Sequence, residues 1–221
     1  MKDSDFQLLV TSVRQAGEIK RGKMKPSGLR MSRQSGRSSA GASRLGDHAR
    51  GARPVPQMED SKLTMACASP LIREHRPEDF ERLFQIDQAA FVPALAYSRA
   101  ELQYYLLARR SKTLVAEVEG EVVGFVNARC AQRGWGMVTT LDVAPGWQRQ
   151  GIGGKLMAAI EEWLLEQGVR VVALETPADE GGARQFYEKH GYQLGGRVRG
   201  YYHGRLDAFS MVKRLGAGSP E

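Results

Sequence analysis

The feature that most constrains this chain is a cluster of glycines placed where a strand gives way to a helix. Residues 136–143 form a β-prone run that Ala144-Pro145-Gly146 breaks, and residues 151–167 put Ile152, Leu156, Ile160, Trp163 and Leu164 on one helical face. Between them stands Gln148-Arg149-Gln150-Gly151-Ile152-Gly153-Gly154. Glycines at the mouth of a helix let successive backbone N–H groups turn toward one point, and the helix dipole adds positive potential there. The turn is therefore predicted to hold an anion such as a pyrophosphate. Its spacing is not that of a dinucleotide-binding turn, and no Lys-Ser/Thr pair follows, which disfavours a Walker-type loop.

The elements around this turn follow from period and punctuation. Residues 71–74 read as a short strand. Pro77 opens a helix carrying Phe80, Leu83, Phe84 and Ile86 to Asp87, and Ser98 with Glu101 forms a capping box for a second helix running to Leu107. Residues 112–118 and 122–132 form a hairpin about Glu119-Gly120. After the glycine turn and its helix comes an almost wholly apolar strand, 169–176, as expected for a sheet centre covered on both sides. A short helix at 182–189 and strands at 192–199 and 207–213 complete the pattern. Strand, two helices, three strands, helix, strand, helix and two strands imply an α/β (α+β) layer with a mixed sheet.

Charge divides the chain in two. Residues 1–66 hold 13 Lys/Arg against 6 Asp/Glu, whereas the remainder holds 19 of each, so the whole net charge of +7 sits in the leading segment. From residue 20 to 56 that segment is Arg, Lys, Ser, Gly and Pro with no apolar period, and disorder is expected. Residues 6–16 allow a short amphipathic helix; with the following GEIKRGKMKPS they weakly resemble the leading segment of helix-turn-helix antitoxin-type regulators, without a recognition helix, so no DNA binding is implied. Nucleic acid is thus not expected as a partner except weakly through this basic tail. The expected division is an extension at 1–66, one domain at 67–216 and a tail at 217–221. No run approaches the ~18 apolar residues of a membrane span, and no secretory signal opens the chain, so a cytoplasmic protein without membrane association is expected. Cys67 and Cys130 lie far apart with no ligand spacing, so no metal is expected.

Two segments together carry a resemblance. VTTLDVAPGWQRQGIGGKLM (residues 138–157) resembles the acetyl-CoA signature of the GNAT N-acetyltransferase family, with Gln148, Gly151 and Gly153 at its core positions, and ARQFYEKHGY (183–192) resembles the family's second signature. The resemblance spans residues 71–215. It implies a GNAT fold: a mixed, mostly antiparallel sheet of about seven strands flanked by about four helices. It further implies acetyl-CoA as co-substrate, its pantetheine pairing with backbone at Leu141, Asp142 and Val143, and its pyrophosphate on Arg149, Gln150, Gly151, Ile152, Gly153 and Gly154. An N–H near Val143 would polarise the thioester carbonyl.

Acetyl transfer to an amine needs a neutral nucleophile and a proton for the departing thiolate. Glu175, in phase with Val169, Val171 and Ala173, is either a general base or a strand-end charge reaching solvent; Tyr187 is either an acid or a packed core tyrosine. As a pair they match, at the same spacing, the base and acid of the ribosomal-protein alanine N-acetyltransferase branch. That resemblance extends to FVPALAYSRAEL (91–102) and GYYHGRLDAFSMVKRL (200–215), and it implies Phe91, Pro93, Tyr201 and Tyr202 on the substrate side. The implied acceptor is a protein or peptide N-terminus; a lysine, a small amine, or acyl-CoA binding without turnover are the alternatives. An α-amine of pKa near ~8 also costs about 3 kcal/mol less to deprotonate than Lys. One residue departs from the branch: Glu180 stands where relatives carry an Asn touching the cofactor, and a carboxylate there is expected to point outward. His190 and His203 are expected at the surface, without a catalytic role.

Overall fold

The computed structural model describes residues 69–216 apart from 94, 132–133, 179–180 and 203. The expected disordered extension at 1–66, the helix at 6–16, the tail at 217–221, Glu180 and His203 lie outside the described residues.

Strand β1 (Leu71–Glu74) leads through a 3-10 turn at Pro77–Asp79 into helix α1 (Phe80–Ala90), followed by α2 (Arg99–Leu106). Then come β2 (Ser111–Val118), β3 (Glu121–Cys130), β4 (Trp135–Val143), α3 (Ile152–Glu166), β5 (Val171–Pro177), α4 (Gly181–Lys189), β6 (Gln193–Tyr202) and β7 (Leu206–Arg214). The strands form one seven-stranded sheet in the order β1-β2-β3-β4-β5-β7-β6. Every neighbouring pair is antiparallel except β4 with β5.

Local chemistry explains the element starts. Asp79 accepts the Arg76 backbone N–H at 2.7 Å and both terminal nitrogens of Arg73 at 2.8 and 3.0 Å, fastening β1 to the entry of α1. At α2 the expected capping box is present: Ser98 accepts from the Glu101 N–H while the Glu101 carboxylate accepts from the Ser98 N–H. Glu119 and Gly120 both have positive φ, 51° and 84°, as a tight turn between β2 and β3 requires.

Both faces of the sheet centre are covered, which is why β2 and β3 read as continuous apolar runs. On one face Ile152, Leu156, Met157, Ile160 and Leu164 of α3 pack on Val123, Val126 and Val138. On the other, Leu83 and Ile86 of α1 and Leu102 and Tyr105 of α2 pack on Val115 and Phe125. Two strands begin later than the sequence pattern suggests. Val169 is buried but sends its N–H to Leu164 O, closing α3, so β5 starts at Val171. Tyr192 likewise closes α4 on Tyr187 O and gives its hydroxyl to Glu161, so β6 starts at Gln193.

What positions a site is the junction of β4 and β5. Their pairing is confined to Trp135, Gly136 and Met137 against Val171, Val172 and Ala173. Past that point no ladder joins them. On its other edge β4 stays paired to β3 but shifts register between Val138 and Thr140, leaving Thr139 as the extra residue of a bulge. Gly124 lets the strands close up again, since a Cβ there would lie 2.9 Å from the Asp142 carbonyl oxygen.

Candidate active site

The splay of β4 from β5 opens a cleft of about 610 Å³ running from Leu141, Asp142 and Val143 to the glycine turn and the end of α4. At its far end the backbone does the work. Arg149 and Gly151 both take positive φ, 63° and 80°, and Gly151, having no side chain, leaves the first N–H groups of α3 free of any side-chain cap. Gly151, Gly153 and Gly154 all line the cleft. The two later glycines are required by packing as well. A Cβ on Gly153 would meet the Phe186 ring at 3.3 Å, and one on Gly154 would meet His190 Nε2 at 2.9 Å. Gln148 Nε2 and Gln150 Nε2 donate to Val143 O and Gly146 O at 3.0 and 3.2 Å, bracing the loop against its own strand. Arg149 and Lys189 add cations to the cleft wall. Uncapped N–H groups at a helix start, with two cations on the wall of the same mostly apolar cleft, suit an elongated ligand with an anionic end. Acetyl-CoA has that form.

Nearer the bulge the cleft meets a smaller cavity of about 90 Å³; the two share Phe91, Leu141, Ala183 and Tyr187. Glu175, Thr139, Thr140 and Tyr202 line the smaller one. The bulge that shapes it is pinned by a tyrosine that lines the same cavity. Tyr97 Oη donates to Thr139 O at 3.2 Å, while Tyr97's own backbone is held by Asp87 Oδ2 at 2.8 Å and by Gln88 Nε2 at 2.8 Å. Thr140 Oγ1 donates to Asp142 Oδ1 at 2.7 Å, and Asp142 is almost wholly buried. Burial, and secondarily the Asp142 carboxylate, pushes the Tyr187 phenol well above its ordinary range, so it carries its proton at neutral pH. The ring is fixed edge-on between Phe186 and Tyr192, with centroids 5.2 and 5.7 Å away. Glu175 lies on β5 opposite Ser210, and its Oε2 accepts from Tyr201 Oη at 3.2 Å. A protonated phenol and a carboxylate thus face one cavity.

The structure gathers most residues singled out in the sequence and separates a few. Leu141, Asp142, Val143, Arg149, Gly151, Gly153, Gly154, Phe91 and Tyr187 line the cleft, and Glu175 and Tyr202 line the adjoining cavity. Ile152 turns its side chain into the core, and the Gln150 side chain is spent on the loop. Pro93 is exposed and lines neither space, and Tyr201 reaches Glu175 from behind. His190, expected at the open surface, instead lines the cleft half-buried, with Nδ1 2.7 Å from Phe186 O. Tyr97, Thr139 and Lys189 went unread in the sequence; a loop tyrosine and a bulged threonine carry no period that marks them. Among the described residues no group of three or more His, Cys, Asp or Glu side chains could hold a metal ion, and no helix is long and apolar enough to cross a membrane.

The family model described as "Acetyltransferase (GNAT) family" matches residues 77–192. An uncharacterized N-acetyltransferase of Archaeoglobus fulgidus is 32% identical over 124 residues, covering 50% of this chain and 82% of its own length. Among solved structures, Ard1 from Thermoplasma volcanium is 27% identical with a TM-score of 0.61, over 67% of this chain and 99% of that one. The ribosomal-protein-alanine N-acetyltransferase from Brucella melitensis is 25% identical with a TM-score of 0.56, over 66% and 99%.

Proposed function

We propose, from the premise that the chain belongs to the acetyltransferase (GNAT) family and is an acetyl-CoA-dependent N-acetyltransferase, that its acceptor is the α-amine of a protein or peptide N-terminus. The observation that carries the reading is the meeting of Glu175 and Tyr187 in one small cavity where the cleft ends.

Acetyl-CoA supplies an activated acetyl group, whose carbon–sulfur bond is exchanged for a carbon–nitrogen bond. The glycine turn, Arg149 and Lys189 hold its phosphates, and the edge of β4 at Leu141, Asp142 and Val143, past its pairing with β5, aligns the chain that leads to the sulfur. Glu175 takes the proton that the ammonium form of the α-amine must lose to become a nucleophile, and passes it to solvent. Tyr187, kept protonated by its burial, gives its proton to the departing sulfur and regains the one that the nitrogen sheds on acylation, so that the attacking amine's proton in effect ends on the thiol. A carboxylate as base suits an amine already partly neutral at pH 7, as an α-amine of pKa near ~8 is and a lysine is not. The likeness to a ribosomal-protein-alanine N-acetyltransferase supports the same acceptor class.

Peptides with varied first residues, each offered with a free or a blocked α-amine and an internal lysine, test this by mass spectrometry after incubation with acetyl-CoA. Acetylation of free α-amines only is expected. Acetylation of the internal lysine in blocked peptides, or activity on polyamines or amino sugars with none on peptides, overturns the acceptor class and leaves the N-acetyltransferase.

A further inference from the structure

Behind Glu175, on the side away from the acceptor cavity, lies a second and much smaller space of about 10 Å³, near the volume of a single water probe. Tyr97, Thr139 and Glu175 line both spaces, whereas Tyr201 lines only the rear one and Tyr202 only the front one. The two adjacent tyrosines of β6, which the sequence assigned to one task, therefore divide. Tyr202 faces the acceptor side. Tyr201 is buried, with 4% of its surface exposed, and sends its hydroxyl to Glu175 Oε2 at 3.2 Å.

We infer that Tyr201 is a positioning residue for Glu175, orienting the carboxylate from the rear cavity and stabilising its charged form without touching the acceptor. The inference rests on the reading of Glu175 as the base. Three observations carry it. Glu175 stands on β5 past the end of its pairing with β4, so the β4 ladder does not hold that stretch of strand, and a hydrogen bond from β6 across β7 supplies an anchor. Tyr201 is itself fixed, packed edge-on against Tyr202 with ring centroids 4.8 Å apart and set among Leu95, Ala173 and Ala208. Its phenol is pushed well above the ordinary range, first by burial and then by the Glu175 charge, so it keeps its proton and remains a donor at neutral pH. A hydrogen bond to a carboxylate lowers the cost of keeping that group ionised, and a fixed carboxylate spends less entropy in reaching the amine.

The titratable groups that face the carboxylate are Tyr97 ahead of α2, Tyr105 of α2, Arg129 of β3, Tyr187 of α4, and Tyr201 and Tyr202 of β6. Asp142 of β4 acts on Tyr97 and Tyr187. Tyr201→Phe leaves all the others in place and removes one donor.

The experiment compares Tyr201→Phe, Glu175→Gln and the double variant in the full chain, with acetyl-CoA and a peptide bearing a free α-amine, across pH. For Tyr201→Phe, kcat is expected to fall roughly tenfold with the acceptor KM and acetyl-CoA affinity within about twofold, since a bond to a charged group is lost while no substrate contact is. The acid limb of the kcat/KM profile is expected to move to higher pH, because an ionised carboxylate without its donor gains a proton more readily. In the Glu175→Gln background Tyr201→Phe is expected to cost nothing further. The position of the acid limb does not depend on how much of the variant is folded, so it remains readable if yields differ. An unmoved acid limb, or a rise in acceptor KM with kcat unchanged, overturns the inference and returns Tyr201 to the acceptor side. A Glu175→Gln enzyme as active as its parent removes the base reading and the inference with it; an impaired Glu175→Gln beside a parent-like Tyr201→Phe removes the inference alone.

Discussion

The long cleft and the small cavity it opens into share four residues, yet they are made of different material. The cleft's anionic end is backbone: two residues in the left-handed region, three glycines and the first turn of α3. The cavity is side chains drawn from separate places, with Leu95 and Tyr97 from the segment between α1 and α2, Thr139 and Thr140 from β4, Glu175 from β5, Tyr187 from α4 and Tyr202 from β6. Backbone geometry is written in a short contiguous stretch and resists change, because each glycine there answers a φ or a close approach. A cavity assembled from five elements can be re-lined one side chain at a time. Donor binding and acceptor choice are thereby separable in this fold, since the second can change without touching the first.

If the cleft is a backbone device, one side chain planted in it should do the most damage. Gly151→Glu forces a left-handed conformation on an L-residue, at about 1–2 kcal/mol, and projects a carboxylate into open cleft, since nothing lies within 4 Å of a Cβ there. Acetyl-CoA affinity is expected to fall by at least roughly 10²-fold, through repulsion from the phosphates and loss of the converging N–H groups. Calorimetry with acetyl-CoA, beside a thermal melt showing a folded domain, checks it; retained affinity would mean that the phosphates bind elsewhere.

At the boundary between the two regions the expected effects are on rate alone. Tyr187→Phe should lower kcat by about 10³-fold and leave acetyl-CoA affinity nearly unchanged, measured by thiol release under saturating substrate. Because burial raises the phenol's pKa, the group stays protonated below its shifted value and loses its proton only above it. The parent enzyme should therefore show no alkaline decline attributable to Tyr187 between pH 7 and about 10. Glu175→Gln should cost less, about 10²-fold at pH 7, since part of the α-amine is already neutral, and the deficit should shrink as pH approaches 9. A deficit that stays constant with pH would assign Glu175 to binding rather than to proton transfer.

The same contrast governs what a reader of the sequence can see. The glycine turn, the capping box at Ser98 and Glu101, and the hairpin of β2 and β3 are contiguous signals with direct physical meaning, and each appears in the fold within a residue or two of where the spacing puts it. Strand starts at Val171 and Gln193 were misplaced because a buried apolar residue that closes the preceding helix looks, in sequence, like the first residue of a strand. The clamp on the bulge runs from Asp87 to Tyr97 and from Tyr97 to the Thr139 carbonyl 42 positions on, and it leaves no periodic trace. Neither does the division of Tyr201 from Tyr202, which depends on how β6 and β7 slip between Val198 and Tyr202. Lys189 and His190 were legible in principle, following Tyr187 at the end of α4, but their facing toward the glycine turn depends on how that helix packs.

The smallest effect is the most informative about the cavity. Tyr202→Phe keeps the ring that packs against Tyr201 and removes only a hydroxyl from the acceptor side. A neutral hydrogen bond contributes about 0.5–1.5 kcal/mol, so the acceptor KM is expected to rise about three- to fivefold while kcat and acetyl-CoA affinity hold. Tyr201→Phe, one residue earlier, is expected to do the reverse, lowering kcat and sparing KM. Steady-state kinetics on the pair with one peptide acceptor separates the two tyrosines without any change in ring packing. Identical profiles for both variants would mean that they act as one unit, and that front and rear of the carboxylate are not distinct places.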